Sequence, residues 1–365
     1  MPSKTPINYA IQSCETMMRK FKNSPDLPPK KRFHYHQGVF LSGMYKTYEI
    51  CKDEKYFNYI KTWLDSVIDE NGSMEAGQDG IQMDDMQPGI LCYPMMDRSS
   101  DSRYENAIKM LMKQFETYPK NKIGGLWHKD RYPNQMWLDG LYMGGPIQAE
   151  YAKRFNSPTH TDFVINQIKL MCQNTKDPIT GLWYHAWDES REVPWCDKET
   201  GLSAEFWGRS IGWVPVAILD VLDFVCPSHP EYNNVVEILK DLIKAICKYQ
   251  SADGRWYQVV DKGGKEGNWL ETSCSSLFVA AICKAVRKGL LCERYMEYAK
   301  KGFDGVINSL EYDGDDILIN NVCIGTGVGD YKHYCDRPIS INDLHGVGAF
   351  LIMCAEAELG PVPTT

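Results

Sequence analysis

The sequence predicts an all-α protein with the (α/α)6 barrel fold, a toroid of six helical hairpins. Apolar residues recur at helical spacing through most of the 365-residue chain. The links between these segments alternate between short polar turns and longer loops rich in Gly, Trp, His and Asp. No long series of alternating strands interrupts them. These observations indicate a single barrel domain that spans residues 1–365.

Twelve helices account for most of the chain in this prediction. The short links between them contain stop signals such as "DENG" and "CPSHP". The predicted helices cover residues 8–22, 35–51, 54–70, 86–97, 101–118, 136–154, 160–174, 206–226, 231–250, 272–289, 293–309 and 341–358. Two extended pieces, "GLWYHAW" and "GRWYQVV", are candidates for small hairpins between helices.

A loop motif recurs before three of the helices. Gly125-Leu126-Trp127, Gly181-Leu182-Trp183 and Gly254-Arg255-Trp256 each precede another tryptophan and then a helix. Such a degenerate repeat predicts stacked helical hairpins. Six inner helices would begin near residues 35, 86, 136, 206, 272 and 341, with glycines allowing them to pack closely, and six outer helices would surround them. The long loops would then open at one end of the barrel, where we expect the functional site.

Composition narrows the classes of function. The formal net charge of -8 argues against a nucleic-acid surface. The sequence contains neither a signal-peptide pattern nor an apolar run of membrane-spanning length. Its 13 cysteines include no C-x-x-C pair, which favours free thiols in the cytoplasm. We expect no cofactor, no metal ion and no membrane partner; the oligomeric state stays open, with a monomer favoured.

One carboxylate stands out by its neighbours. Asp139 lies among Trp137, Leu138, Leu141, Tyr142 and Met143. It could simply be a helix cap or part of a solvated turn. Burial without a partner would instead raise its pKa and make it a proton donor near neutral pH.

Other polar and aromatic residues cluster in the same long loops and at the starts of the inner helices. They are Asp84, Asp85, His128, Lys129, Trp137, His185, Trp207, Arg209, Trp213, Trp269, Glu271, His333, Asp343 and His345. Aromatic planes that stack on sugar faces, together with groups that bind hydroxyls, are typical of a carbohydrate pocket.

Structural roles are the alternative for several of these residues. Asp84 and Asp85 could cap the next helix, and Arg209 could be an ion-pair partner in the core. His34 and His36 in "FHYHQG" are interpreted as capping or core groups. The sequence contains no zinc motif, and the glycine-rich "GTGVGD" follows no clear strand, which argues against dinucleotide binding.

Several long motifs occur together in one order: "GGLWHKDRYPNQMWLDGLYMGGP", "GLWYHAWDE", "AEFWGRSIGWV", "NWLETSCSSLFVAA" and "NDLHGVGAFL". From about residue 35 to 358 the chain thereby resembles the unsaturated rhamnogalacturonyl hydrolases of glycoside hydrolase family 105, which are related to the unsaturated glucuronyl hydrolases of family 88. The resemblance implies an (α/α)6 barrel. It also implies an enzyme that removes 4,5-unsaturated galacturonic acid from the non-reducing end of rhamnogalacturonan-derived oligosaccharides by hydrating the C4=C5 double bond.

The resemblance also implies roles for individual residues. Asp139 would be the general acid and base, and Asp84, rather than Asp85, would bind ring hydroxyls. Arg209 would offset the uronate carboxylate. The remaining substrate-binding candidates are His128, Lys129, Trp137, His185, Trp207 and Trp213.

Three other functions remain open from the sequence. The substrate could be a different unsaturated uronide, of the glucuronyl type. A sugar epimerase would need catalytic histidines, for which His185 and His345 are the candidates. A non-catalytic oligosaccharide-binding protein would keep the tryptophans but would not need an acid in apolar surroundings.

Overall fold

The computed structural model describes residues 4–74 and 80–360. In these residues the helices are α1 (Pro6–Lys20), α2 (Tyr35–Cys51), α3 (Glu54–Val67), α4 (Cys92–Arg98), α5 (Arg103–Thr117), α6 (Asp139–Arg154), α7 (Pro158–Thr175), α8 (Gly208–Val221), α9 (Tyr232–Cys247), α10 (Thr272–Arg287), α11 (Met296–Asn308), α12 (Tyr331–Cys335) and α13 (Leu344–Leu359). A 3-10 segment, Gln87–Leu91, leads into α4.

Short strands form four antiparallel pairs beside the helices. The pairs are β1 (Gln135–Trp137) with β2 (Ala186–Asp188), β3 (Trp256–Tyr257) with β4 (Leu270–Glu271), β5 (Glu311–Asp313) with β6 (Asp316–Leu318), and β7 (Val322–Cys323) with β8 (Ile339–Ser340). The first two pairs contain the extended pieces that the sequence indicated. Each joins a long loop to the start of an inner helix and thereby fixes where that helix begins.

The inner helices close a ring. In order, α2, the Gln87–Leu91 segment with α4, α6, α8, α10 and α13 each pack on the next, and α13 packs back on α2. Helices α3, α5, α7, α9 and α11 each pack outside the inner helix that precedes them, while α1 packs on α13. The predicted (α/α)6 barrel is therefore confirmed.

The inner and outer helices differ in how much of their surface is buried, as the sequence pattern predicts. Outer helix α9 buries one stripe, which includes Val235, Leu239, Leu242 and Ile246. Inner helix α13 is buried on all sides from Leu344 to Ala357. A helix that is apolar around its whole circumference can be covered only in the middle of the structure.

Glycines allow the inner helices to approach closely, as expected. A Cβ on Gly348 of α13 would lie 2.5 Å from the carbonyl oxygen of Val39 in α2. A Cβ on Gly43 of α2 would lie 2.8 Å from the carbonyl oxygen of Gly348. Since backbone atoms cannot rotate away, only glycine fits at this contact.

Some predicted helix bounds were wrong. The helix predicted at 136–154 begins at Asp139, because residues 135–137 pair as a strand with residues 186–188. The helix predicted at 86–97 starts as the 3-10 segment that contains Pro88, and α4 follows only from Cys92. Helix α12 was not predicted; it is only five residues long.

The structure also bears on the expectations about the cysteines and about membrane-spanning segments. All 13 cysteines are free thiols. Within residues 4–74 and 80–360, no helix combines the length and apolar character needed to cross a membrane.

Candidate active site

A cavity of about 280 Å³ lies where the inner helices begin. Its wall is formed by Arg32, His34, Tyr35, His36, Gln82, Asp84, His128, Lys129, Arg131, Tyr132, Trp137, Asp139, Met143, Trp207, Arg209, Trp213 and residues 325–327. Helices α2, α6 and α8 all direct their N-terminal ends toward this cavity, and the partial positive charge of a helix N-terminus favours an anionic ligand.

Asp139 occupies the first position of α6, and its side chain is 13% exposed. The β1–β2 pair brings His185 next to it, because the Leu138 amide donates to the His185 carbonyl. The Nε2 atom of His185 lies 3.2 Å from Oδ2 of Asp139. The acid therefore reaches the cavity with a histidine directly behind it.

The expectation of a raised pKa for Asp139 was wrong. Burial does favour the neutral acid, but the hydrogen bond and charge of His185, assisted by the charge of His128, outweigh burial and lower the pKa of Asp139. The sequence showed the apolar neighbours at positions 137–143. It could not show a partner 46 residues away.

Asp84 lines the same cavity, next to the cationic side chain of Lys129 and the ring of His128. Lys129 Nζ donates to its Oδ2 at 2.6 Å, and His128 Nε2 lies 3.6 Å from its Oδ1. Burial alone would raise the pKa of Asp84, but the charges of His128, Lys129 and His34 lower it well below its usual range. Asp84 is thus a carboxylate that can accept hydrogen bonds from sugar hydroxyls.

Asp85 does not line the cavity, although its two polar partners do. It accepts a hydrogen bond from Gln82 Nε2 at 3.0 Å and lies 3.8 Å from Arg32 Nε. Burial raises the pKa of Asp85 to about 6. The geometry therefore places Asp84, and not Asp85, at the cavity wall.

The three tryptophans of the wall are each held by a neighbour. Trp137 stacks on His128 at a centroid distance of 4.5 Å, and Trp213 stacks on Tyr142 at 4.5 Å. Trp207 donates from Nε1 to Gln258 Oε1 at 3.1 Å. Fixed aromatic planes suit the stacking of a sugar ring, since little side-chain entropy is lost on binding.

Arg209 is buried in the cavity wall and donates hydrogen bonds to the backbone of a neighbouring loop. Its Nη1 donates to the Cys323 carbonyl at 2.6 Å and its Nη2 to the Ile324 carbonyl at 2.8 Å. The guanidinium carbon lies 4.6 Å from the centre of the Trp207 ring. Arg209 therefore anchors the 322–327 loop and also brings a positive charge to the cavity.

His185 was predicted to bind substrate, but it is fully buried and does not line the cavity. Its Nδ1 lies 2.8 Å from the Tyr334 hydroxyl, which accepts a hydrogen bond from the Gly329 amide. The hydroxyl hydrogen is then free to point at Nδ1, so Nε2 carries the hydrogen that faces Asp139. His185 therefore contacts Asp139 from behind the cavity wall.

Sequence reasoning missed one side of the wall. His34, Tyr35 and His36 line the cavity, although the two histidines were interpreted as capping or core groups. They stand at the start of inner helix α2, as Trp137 and Asp139 stand at the start of α6. Equivalent positions in the repeat were the signal that could have found them.

Two cations and a glycine-rich loop also belong to the part of the wall that was not predicted. Arg32 and Arg131 lie at the cavity. Residues 325–327 come from "GTGVGD", which lies beside the site without being a dinucleotide loop. Conversely, five further residues that were grouped with the site from the sequence do not line the cavity: Trp269, Glu271, His333, Asp343 and His345.

Comparison with known proteins places this arrangement in a family. The pattern of Glycosyl Hydrolase Family 88 matches residues 9–359. A solved structure of a family 105 glycoside hydrolase from Clostridium acetobutylicum (strain ATCC 824) is 35% identical, covers 96% of this chain and 99% of its own, and superimposes with a TM-score of 0.91. The chain belongs to the family 88 and family 105 glycoside hydrolases.

Two further similarities agree with this assignment. The unsaturated rhamnogalacturonyl hydrolase YesR of Bacillus subtilis (strain 168) is 25% identical over 296 residues, which is 80% of this chain and 79% of the relative. The unsaturated glucuronyl hydrolase of Bacillus sp. GL1 is 14% identical, with a TM-score of 0.70 over 96% of this chain and 95% of its own, and shares the fold. This glycoside hydrolase therefore has its candidate acid, Asp139, at the cavity end of a barrel typical of its family.

Proposed function

We propose that this glycoside hydrolase removes a 4,5-unsaturated galacturonic acid from the non-reducing end of small rhamnogalacturonan oligosaccharides. The observation that carries the proposal is the cavity in which Asp139, paired with His185, faces Asp84 and Lys129 between fixed tryptophans. The name of the Bacillus subtilis relative supports the substrate class.

The proposed reaction is hydration of the double bond. Protonated Asp139 gives its proton to C4, and the cation that forms at C5 is attacked by water. The resulting carboxylate of Asp139 takes a proton from that water, so the acid is regenerated. The hemiketal at C5 opens to a ketone, and the hemiacetal left at C1 releases the next sugar. No covalent sugar–enzyme bond forms, so the carboxylate separation that distinguishes retaining from inverting enzymes does not apply here.

The lowered pKa of Asp139 sets a requirement for this reaction. The acid has to take up a proton in the complex, although His185 favours the carboxylate in the free enzyme. A uronate carboxylate bound close to Asp139 would raise the pKa of Asp139, because a like charge raises the pKa of a neighbouring acid. Arg209 and the helix N-termini keep that anionic sugar bound.

Ultraviolet absorbance tests the proposal directly, because the conjugated double bond of the substrate absorbs and its hydration product does not. The enzyme is mixed with unsaturated galacturonyl-rhamnose and, separately, with an unsaturated glucuronyl disaccharide. Loss of absorbance with the first substrate alone is the expected result. Loss with the second alone would assign the enzyme to glucuronyl substrates, and no loss with either would favour the epimerase or the non-catalytic binding protein.

We also propose a cytoplasmic, reducing location. All 13 cysteines are free thiols, and eight of them are buried. Proteins of oxidising compartments use most of their cysteines in disulfides. Fractionation of the native host, with detection by antibody, tests this; recovery from the extracellular fraction would contradict it.

A further inference from the structure

Three potential metal ligands meet beside the cavity. They are His36 in the first turn of α2, Asp343 at the cap of α13, and His345 in the first turn of α13. One ligand atom from each lies within 4.8 Å of the others. The sequence carries no metal motif here because the ring closure, and not local spacing, brings positions 36 and 345 together.

One ring nitrogen of His345 binds a backbone carbonyl, and the other faces Asp343. Its Nε2 lies 2.8 Å from the Cys323 carbonyl oxygen, which can only accept, so Nε2 carries a hydrogen. Its Nδ1 lies 2.9 Å from Oδ1 of Asp343 yet has no hydrogen bond of acceptable geometry, and the residue is fully buried. Nδ1 therefore faces the Asp343 carboxylate, and a cation placed beside these two atoms would be bound by both.

The other groups fit the same interpretation. Nδ1 of His36 pairs with Nδ1 of His34 at 3.0 Å, which leaves its second ring nitrogen for a ligand role. Metal-binding histidines commonly hold a backbone carbonyl or a polar side chain with the nitrogen that does not bind the metal. His345 does so through Cys323 and His36 through His34.

We propose that His36, Asp343 and His345 bind a divalent first-row transition metal ion of the Zn²⁺ type. Two imidazoles and one carboxylate are ligands that such ions accept, at about 2.0 to 2.2 Å from the metal. Because His36 lines the cavity, the open coordination position would face a ligand there.

Charge does not prevent such a site. A neighbouring cation, Arg209, donates to the same Cys323 carbonyl as His345 and opposes a second positive charge. Asp343 contributes one compensating charge, and Glu271 lies 3.9 Å from Arg209 Nη1. Asp84 and Asp139 add two more carboxylates to the cavity wall.

Equilibrium dialysis of the chelator-treated full-length protein against Zn²⁺ tests the proposal. A parent carrying Cys226→Ser and Cys292→Ser removes the two exposed thiols, which would bind zinc independently. We expect one tight ion per chain in this parent. Asp343→Asn and His36→Gln should each weaken binding at least about tenfold, whereas the matched controls Asp336→Asn and His333→Gln should not.

Co²⁺ provides a second readout that does not depend on activity. Its visible absorption should report nitrogen and oxygen ligands in the parent and disappear in Asp343→Asn. Circular dichroism establishes that each variant is folded before titration. Binding that is absent from the parent, or that is unchanged by both site variants, would overturn the proposal, and neither result would bear on double-bond hydration by Asp139.

Discussion

At the scale of single residues, the environment of Asp139 results from two opposing effects. Burial favours a neutral acid, whereas His185 at 3.2 Å favours the carboxylate. The position of Asp139 at the N-terminal end of α6 adds to the second effect. The acid is therefore prepared to change its protonation state when an anionic sugar arrives.

Replacing Asp139 by Asn should abolish turnover while leaving substrate binding largely intact. The amide keeps the size of the side chain but cannot give and retake a proton, so we expect kcat to fall about 100- to 10,000-fold. Absorbance assays measure kcat, and calorimetry with the unsaturated disaccharide measures binding. Asp162→Asn, in outer helix α7 and 69% exposed, is the control. A near wild-type rate for Asp139→Asn would remove it from the mechanism.

Replacing His185 by Gln should shift the pH profile toward alkaline values. His185 lowers the pKa of Asp139, so its loss raises that pKa. Since the protonated acid starts the reaction, kcat/KM declines as pH rises through the pKa of Asp139 in the free enzyme. The decline should therefore begin at higher pH in His185→Gln, alongside a lower maximum. A lower maximum with an unshifted alkaline limb would mean that His185 has only a structural role.

Replacing Arg209 by Gln should weaken binding of the acidic sugar. A charge-assisted hydrogen bond contributes about 1.5 to 3 kcal/mol, which corresponds to roughly 10- to 100-fold in KM. Arg19→Gln changes an exposed arginine and is the control. Equal effects of the two substitutions on KM would exclude Arg209 from substrate binding.

Residue identity alone predicted part of this site. Asp84, His128, Lys129, Trp137, Asp139, Trp207, Arg209 and Trp213 all lie at the cavity, because motifs at the starts of inner helices converge there. Partners that are distant in sequence were not predictable. The pairing of His185 with Tyr334 and the contact of His36 with His345 both depend on how the ring closes.

At the scale of helices and strands, periodicity predicted nearly all long helices but placed several ends wrongly. An apolar pattern such as "QMW" fits a helix or a strand equally well, and only its pairing with residues 186–188 makes it β1. Glycine content was more informative. It marked the inner helices, and the structure shows where the close approach occurs.

Replacing Gly348 by Ala should destabilise the ring. The added methyl meets the backbone of Val39 and Phe40 in α2, so α13 and α2 must separate. Overpacking of this kind costs about 1 to 3 kcal/mol, although alanine favours the helix itself. Gly145→Ala in α6 is the control, since its methyl would lie 3.4 Å from Val221, at ordinary contact distance. In thermal unfolding, the Tm of Gly348→Ala should lie below that of the wild type, whereas the Tm of Gly145→Ala should not. Equal Tm values for the two variants would contradict the close contact.

At the scale of the whole molecule, each end of the barrel holds a cavity. A larger cavity of about 400 Å³ lies at the end where the inner helices finish, and Met143 lines both cavities. Asp139 is not among the residues that line the larger one, so size does not identify the site. This end instead holds ion pairs that join helices, such as Lys284 of α10 with Asp220 and Asp223 of the α8 end.

One carboxylate at this end makes the stability of the molecule depend on pH. Glu150 of α6 is buried, and burial raises its pKa to about 7 despite the hydrogen bond from Arg154. The unfolded chain has the lower, ordinary pKa. The contribution of Glu150 to stability is therefore complete below the unfolded value and is lost as pH rises through about 7.

Replacing Glu150 by Gln should stabilise the protein at pH 8 and have little effect at pH 4. The amide keeps an acceptor for Arg154 but never ionises, so it avoids burying a charge. Each unit of pKa difference corresponds to about 1.4 kcal/mol, and the variant should unfold about 2 to 5 °C above the wild type at pH 8. Glu237→Gln, in outer helix α9 and 62% exposed, should change Tm at neither pH. A Tm difference for Glu150→Gln that is equal at both pH values would show that the substitution acts through packing, and that ionisation of Glu150 does not set the alkaline limit of stability.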